Sequence, residues 1–396
     1  MAKKHLIHTA TYLSILLSTT TLLSASSFQG LGDLIDNTGS NVINSTATAL
    51  SANGQTVVGY DGKRLTDFSD SYAIYTRAFK HTSNSTTTLG NLNPDRPISV
   101  AYGVSADGQT IVGTARNTYV DTAFRWSQDT GIQALHAPNL FISSSAYDAS
   151  ANGQTIVGRV VTEPYDNFPT EFKPFVWTAD QGLQIIAQSP NNDFIGHASA
   201  ISNDGQTIVG TNYITPTHQQ AFFYTQQQGI QTLESLTLDS THTFAHNISG
   251  DGNVIVGEVY VEQQALAVKW DELGQIQPLD ALSPLFDQTM ATATNYDGSI
   301  IVGNAWNGSD QTTFIYHDNV GIQSLTAYLQ DLGLEDQLED WTLTTVNDIS
   351  DDGLTIIGIG VNPDGDTESW IATIPEPATS LLLLTALPLC LGRRKH

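Results

Sequence analysis

The sequence has one cysteine, Cys390, and it lies in an apolar stretch close to the C terminus. A disulfide framework and a cysteine-ligated metal site are therefore excluded from the body of the chain, whose stability must come from a packed core. Positive charge is the second scarcity. Only 15 Lys and Arg stand against 40 Asp and Glu, for a formal net charge of -25. Five of those basic residues (Lys3, Lys4, Arg393, Arg394, Lys395) sit at the two ends, which leaves the remainder near about -30. A field of that sign repels phosphate backbones and anionic lipid, so no nucleic-acid partner is expected. Charged residues of either sign reach only 14% while hydrophobic ones reach 40%. That balance is too apolar for disorder and poor in charged helix formers; it suits many short strands joined by turns.

Catalytic signatures are also missing. No Gly-x-Ser-x-Gly elbow, zinc-protease helix, phosphate-cradling loop or EF-hand loop is present, so no catalytic residue is expected and the chain reads as a non-enzyme. His242 and His246 have metal-ligand spacing only if helical, yet their segment reads as loop and strand, which predicts a structural or solvent role. Neither a metal site nor a cofactor is expected. The acidic turns Asp351-Asp352 and Asp364-Gly-Asp366 have the oxygen donors that a weak Ca²⁺ site needs, but turn geometry already demands those residues.

What is present is a repeat. Seven copies of a hairpin signature run along the chain: Ser51-Ala-Asn-Gly-Gln-Thr-Val-Val-Gly59, and its counterparts ending at Gly113, Gly158, Gly210, Gly257, Gly303 and Gly358. The turn glycines Gly54, Gly108, Gly153, Gly205, Gly252, Gly298 and Gly353 lie between 45 and 55 residues apart. Asn-Gly and Asp-Gly supply the positive φ of a tight antiparallel turn, and Thr-Ile-Val beyond it suits a strand buried on both faces. The closing glycine marks a close backbone approach or bulge. A third strand follows with an aromatic pattern, as in Ala123-Phe-Arg-Trp126 and Pro174-Phe-Val-Trp177. Trp126, Trp177, Trp270 and Trp370 recur within it, which predicts packing between sheets rather than ligand stacking. A short Gly-led fourth strand comes next, as in Gly131-Ile-Gln-Ala-Leu135, with Leu89-Gly-Asn-Leu92 as its variant in the first unit.

Four short strands in about 50 residues is the size of one propeller blade, so the fold predicted is an all-β, seven-bladed β-propeller. The seventh unit stops after its third strand, at Trp370-Ile-Ala-Thr-Ile374. Its missing fourth strand is predicted at the other end, at Leu31-Gly-Asp-Leu34, so that an N-terminal strand closes the ring by pairing with the C-terminal blade. Between units six and seven, Leu325, Tyr328, Leu329 and Leu332 recur at helical spacing and predict a short helix on one rim.

The two ends read as addresses. Residues 1–27 have a basic start at Lys3 and Lys4, an apolar stretch, and small residues Ala25 and Ser27 before Phe28, which predicts a signal peptide. Residues 375–396 combine Pro375-Glu376-Pro377, an apolar run from Ala378 to Gly392 and the basic stop Arg393-Arg394-Lys395. This tail resembles the PEP-CTERM sorting signal of Gram-negative bacteria. That resemblance implies export, transient membrane contact through the tail, and an exosortase-type sorting protease as partner. The apolar run is short for a full span and contains Pro388.

The propeller body is expected over 28–374, and residues 31 to about 373 of it resemble the HAF-type extracellular repeat in their Ala-Phe-x-Trp strand, Gly-led Leu strand and Asp-Gly-x-Thr-Val-Val-Gly hairpin. The histidine of that name is replaced by Thr122, Pro174 and Gln220 at the relevant places. The resemblance implies a cell-surface or extracellular-matrix location and brings no catalytic residues. The expectation is a secreted interaction or adhesion scaffold of a biofilm matrix, with exopolysaccharide or surface proteins as partners. A carbohydrate-binding module and a polysaccharide hydrolase or lyase are the alternatives.

Overall fold

A computed structural model describes residues 26–32, 42–64, 74–83, 85–118, 120–136, 141–162, 172–186, 196–215, 218–237, 240, 242–279, 282 and 285–375. Ser26–Ile374 form one compact unit. Its architecture follows the repeat. Blade 1 holds β2 (Val42–Leu50), β3 (Thr56–Arg64), β4 (Ile74–Thr82) and β5 (Ser85–Thr88), after the short β1 (Ser27–Gly30). Blade 2 holds β6 (Ser99–Val104), β7 (Ile111–Asn117), β8 (Val120–Ser127) and β9 (Gly131–Ala134). Blade 3 holds β10 (Ser143–Ala149), β11 (Thr155–Val161), β12 (Phe172–Thr178) and β13 (Gly182–Ile185). Blade 4 holds β14 (Gly196–Ile201), β15 (Thr207–Thr215), β16 (His218–Thr225) and β17 (Gly229–Thr232). Blade 5 holds β18 (Thr243–Ile248), β19 (Ile255–Val261), β20 (Gln264–Trp270) and β21 (Ile276–Pro278). Blade 6 holds β22 (Gln288–Thr294), β23 (Ile300–Asn307), β24 (Asp310–His317) and β25 (Gly321–Ser324), and α1 (Leu325–Asp331) follows. Blade 7 holds β26 (Thr342–Ile349), β27 (Thr355–Val361) and β28 (Thr367–Thr373).

Each blade is an antiparallel four-stranded meander, and the seventh is completed by the first strand of the chain, in the order β1-β28-β27-β26. The all-β, seven-bladed propeller closed by its N-terminal strand is thus observed, with one correction. The closing strand is Ser27–Gly30, paired from Ser27↔Thr373 to Gly30↔Trp370, and not Leu31–Leu34. Leu31 only ends it, its N–H donating to Ser369 O at 2.8 Å. The same slip affects blade 1, whose fourth strand is Ser85–Thr88 while Leu89 ends it with an N–H donated to Ala78 O. In both places Leu-Gly-x-Leu is the exit from the sheet: Gly32 and Gly90 take φ of 60° and 87°, and the chain turns away there. Asp33 and Leu34 lie outside the described residues.

The first strand of every blade packs beside the first strands of its neighbours, so these strands ring the axis. Between blades the faces are apolar, with Phe79, Phe124, Phe175, Phe222 and Phe314 all essentially without exposure. Full burial of such a side chain contributes about 1.5–3 kcal/mol. The third-strand position just before that phenylalanine (before Val268 in blade 5) has a separate purpose and is alanine in blades 1, 2, 4 and 5. Ala78, Ala123, Ala221 and Ala267 donate their N–H to Ser99, Ser144, Thr243 and Thr289 respectively, each at the start of the next blade's first strand. A larger side chain would hold that strand away. Blade 3 has Pro174 at this position, without an N–H, and its counterpart in blade 4 is Gly196, without a hydroxyl.

The seven turn glycines all have positive φ, between 64° and 80°. Their missing side chains also admit the preceding blade: Gly54, Gly108 and Gly153 sit against Thr355, Thr56 and Thr110 with no room for a Cβ. The closing glycines lie against the first-strand backbone beside its bulge, as expected, and Gly59, Gly113, Gly158 and Gly303 also face Phe79, Phe124, Phe175 and Phe314. Trp126, Trp177, Trp270 and Trp370 are buried between sheets. The predicted helix is α1, with Leu325 and Leu329 buried. Among the described residues no helix is long and apolar enough to cross a membrane.

Phe28 anchors the closing strand. It is 5% exposed, lies 5.2 Å from Trp341 edge to face and 5.8 Å from Trp370, and its N–H donates to Gln337 Oε1. Replacing Phe28 by Ala should cost about 3–5 kcal/mol in chemical denaturation. It should also expose the segment before Leu31 to protease first. A loss as small as that from Thr87→Ala, at an exposed position of β5, would contradict this account of the seam.

Candidate functional site at the channel mouth

Seven first strands carry a bulge at the same place, one residue after the buried alanine (valine in blade 7). The extra residues are Thr48, Tyr102, Tyr147, Ser199, His246, Thr292 and Asn347. All seven line an axial cavity of about 190 Å³. A bulged residue leaves the ladder and is re-aimed, here toward the axis.

One end of this channel is drawn together by the hairpin turns. Ala151 N–H donates to Asn203 O, Asn203 N–H to Gly250 O and Tyr296 N–H to Asp351 O, each linking one blade to the next. Asn203 Nδ2 then reaches from blade 4 to Asp351 of blade 7 at 2.6 Å. Deeper in the channel two carboxyls join blades. Asp348 accepts from Leu50 N–H at 2.7 Å and Ile349 N–H at 2.8 Å; Asp148 accepts from Ile201 N–H at 2.9 Å and Ala149 N–H at 2.7 Å. Burial pushes both up to about 7, against the opposing pull of those amides. Asp348 is raised further by Asp148, and both by Asp351.

Toward the other end, aromatic rings form an arc on blades 2 to 5. Tyr102 and Tyr147 meet at 5.5 Å, Tyr147 and His197 at 6.2 Å, His197 and Tyr213 at 5.9 Å. His242, Phe244 and His246 stack in file along one strand face. The second strands contribute through the residue after the closing glycine, which points at the next blade's first strand. In blades 2 and 6 this residue is Thr114 or Asn304, bonded to backbone there. In blade 3 it is Arg159, whose guanidinium lies over Tyr147 at 5.8 Å and Phe172 at 4.8 Å with no ion pair among the described residues. In blade 5 it is Glu258, 7% exposed, with Oε1 at 3.6 Å from His246 Nε2. That separation allows attraction but is too long for a hydrogen bond. Glu258 Oε2, His246 Nε2, His242 Nδ1 and Ser199 Oγ are buried with no hydrogen-bond partner among the described residues. His197 is held down to about 4, first by burial and then by Arg159 and His246, so it is neutral at pH 7.

The predicted site residues fall elsewhere. The seven turn glycines close the opposite mouth, and Pro375 ends the described stretch. Glu376, Pro377, Arg393, Arg394 and Lys395 lie outside the described residues, as does the segment 1–25. Asp351 and Asp352 serve as acceptors for Asn203, Ser350 and Leu354. Among the described residues no group of three or more His, Cys, Asp or Glu is placed to hold a metal ion. The channel residues escaped sequence reasoning. Their one signal was variability immediately before the hairpin, at a fixed place in an otherwise regular repeat.

No family model matches the chain, and no curated protein does. Solved structures resemble it in fold. Oligogalacturonate lyase from Vibrio parahaemolyticus matches with a TM-score of 0.55 at 12% identity, over 89% of this chain and 98% of that one. The β-propeller domain of the Trilobed protease from Pyrococcus furiosus, described as having an open velcro topology, matches at 0.53 and 10%, over 85% and 94%. TolB from Acinetobacter baumannii gives 0.44 at 12% over 69% of this chain, which spans 63% of TolB. Identities this low establish the propeller and nothing finer.

The buried acids and the buried histidine pull stability in opposite directions with pH. Asp148 and Asp348 keep their protons in the folded state up to about 7 but lose them near 4 when unfolded, so each makes stability fall as pH rises through that window. His197 takes its proton near 4 folded but about 6.5 unfolded, so it makes stability rise with pH between those values. Relative to the unmodified protein, the stability at pH 4.5 minus that at pH 6.5 should increase in His197→Gln and decrease in Asp148→Asn. Urea denaturation at the two pH values decides it; unchanged differences would refute the assignment.

Proposed function

We propose that this protein is an exported propeller of the cell surface or extracellular matrix that holds a saccharide at the open channel mouth without turning it over. The observation that carries the reading is the arc of Tyr102, Tyr147, His197 and Tyr213 beside a ring of hydroxyl and amide side chains. Aromatic faces take the C–H face of a sugar ring, and hydroxyls and amides take its hydroxyls. Arg159 adds a guanidinium for which an acidic sugar would supply the counter-charge. The two acids below are engaged by backbone amides as inter-blade ties, which suits a scaffold better than proton-transfer chemistry.

Export rests on the two terminal segments. The basic and apolar order of residues 1–27 supports secretion, and the Pro375-Glu376-Pro377 tail with its basic stop supports handling by an exosortase-type protease, with transient membrane contact. A cut before Phe28 would remove the Ser27–Thr373 pair and leave Phe28–Gly30 to close the ring.

One observation favours a second reading, a polysaccharide hydrolase or lyase. His246 and Glu258 stand together beside the arc with unsatisfied polar atoms, and such a pair has the groups needed for acid–base chemistry. The likeness to oligogalacturonate lyase adds only the fold.

A glycan array and a turnover screen on the full-length protein, with and without Ca²⁺, separate these. Binding without turnover, weakened about tenfold or more by Tyr147→Ala and indifferent to Ca²⁺, is the expected result. Turnover abolished by Glu258→Gln would establish the second reading instead.

A further inference from the structure

The blades cover the seams between them in more than one way, and one seam is covered less than the others. In blades 1, 2 and 5 the third strand carries a cation two residues after its alanine: Lys80, Arg125 and Lys269. Each lies over the aromatic ring of the following blade. Lys80 is 5.9 Å from the Trp126 ring, Arg125 is 5.4 Å from Trp177 and Lys269 is 5.2 Å from Tyr316. These cations roof the seam between blades with their aliphatic stems and charged heads. Blade 4 covers its neighbour differently, by packing Phe223 in one apolar cluster with the fully buried Trp270. Blade 6 does so with Ile315, fully buried in one cluster with Trp370, whereas blade 3 has the smaller Val176, which is only partly buried. The ring that follows it, Tyr224, is half-buried where Trp126, Trp177, Trp270 and Tyr316 are buried, and it has no ring or cation partner among the described residues.

A groove of about 790 Å³ opens at this seam, lined by Val176 and Tyr224 together with Gln154, Gln184, Gln206 and Gln226. Its amides are partly pre-set: Gln184 Nε2 donates to Gln181 O at 2.9 Å, which fixes the side chain and leaves Oε1 for another donor. Asp180 is the one charged side chain in the wall.

We infer that the groove between blades 3 and 4 is a second binding site, for a neutral oligosaccharide. Tyr224 offers a flat face to the C–H side of a pyranose ring. Its glutamines offer both donors and acceptors to the hydroxyls of that ring, and a wall whose one charged side chain is Asp180 gives a phosphate or carboxylate no cation to pair with. The site is separate from the channel mouth and does not depend on the reading of that mouth.

The test uses the full-length protein, titrated by calorimetry with maltohexaose, cellohexaose, xylohexaose and, as a charged control, oligogalacturonate. At least one neutral hexasaccharide should bind. Val176→Arg, which installs the roof used elsewhere in the ring, should abolish that binding with no loss of thermal stability. Tyr224→Ala should weaken it about tenfold or more, and Tyr224→Trp should preserve it. Tyr147→Ala, in the channel, should leave it unchanged. Binding by none of the neutral probes, or binding that survives Val176→Arg, overturns the inference. Binding that is lost in Tyr147→Ala alone overturns it too, while leaving the channel-mouth reading in place.

Discussion

A four-stranded sheet of this composition has two apolar faces, and no blade can bury both by itself. That constraint governs everything else in the molecule. Each blade must lie between two others, so a linear stack would leave a naked face at each of its ends, and a ring is the arrangement that leaves none. The ring then needs a lock, because its first and last blades are joined by no peptide bond. Three groups of contacts supply it at one seam. β1 completes blade 7, Ser369 Oγ accepts from Ala47 N–H while donating to Ser45 O, and Asp348 takes the N–H of Leu50. Phe28 covers what remains by filling the space between Trp341 and Trp370.

Closing the ring also gives it two unlike ends. All hairpins between first and second strands emerge at one mouth, where glycines with positive φ let each turn settle against a threonine, valine or isoleucine of the blade before it. Those turns lean together, exchange backbone hydrogen bonds and meet across the axis at Asn203 and Asp351. The same residues that make the repeat regular therefore constrict that end. The opposite mouth has no such regularity to satisfy, and there the side chains of individual blades differ: Tyr147 with Arg159 in blade 3, His246 with Glu258 in blade 5, Thr292 with Asn304 in blade 6. Chemistry accumulates where the repeat imposes least.

The fold was legible because a blade's requirements are local. An Asp-Gly turn, a β-branched strand and an aromatic strand each declare themselves within a few residues, and their recurrence counts the blades. The two misplaced strands share one cause. Leu31 and Leu89 look like the beginning of Leu-Gly-x-Leu, but each N–H bonds back to the third strand as the last rung of its sheet, and the glycine after it turns outward. The strands proper, Ser27–Gly30 and Ser85–Thr88, carry polar residues on an exposed edge and show no hydrophobic period to detect. The channel was illegible for another reason. Its lining comes from bulged residues, which stand outside the alternation on which strand reading depends. The pair His242 and His246 illustrates this, since with Phe244 they share one face by the strand period of two, whereas their spacing of four had been weighed only as a helical one.

A repeat protein offers a further source of information in its departures from its own pattern, provided that two kinds are distinguished. At Pro174 the repeat loses a backbone donor, and Gly196 opposite has lost the acceptor, so nothing is left unsatisfied and the change is structural. At Asp148 and Asp348 a carboxyl replaces a small or amide residue, and each is met by two amides, one of them from the neighbouring blade. Those departures are compensated. Val176 is not: the cation that roofs three other seams is gone, Phe223-type packing has not replaced it, and Tyr224 is left half-covered in a wall of amides. Arg159 and Glu258 are of the same kind, a cation resting on rings with no counter-charge and a buried carboxylate oxygen with no donor. An uncompensated departure of this kind gives up contacts that the same position supplies in other blades. Under the proposed binding roles, a saccharide would supply contacts of the kind that Val176 and Arg159 leave open.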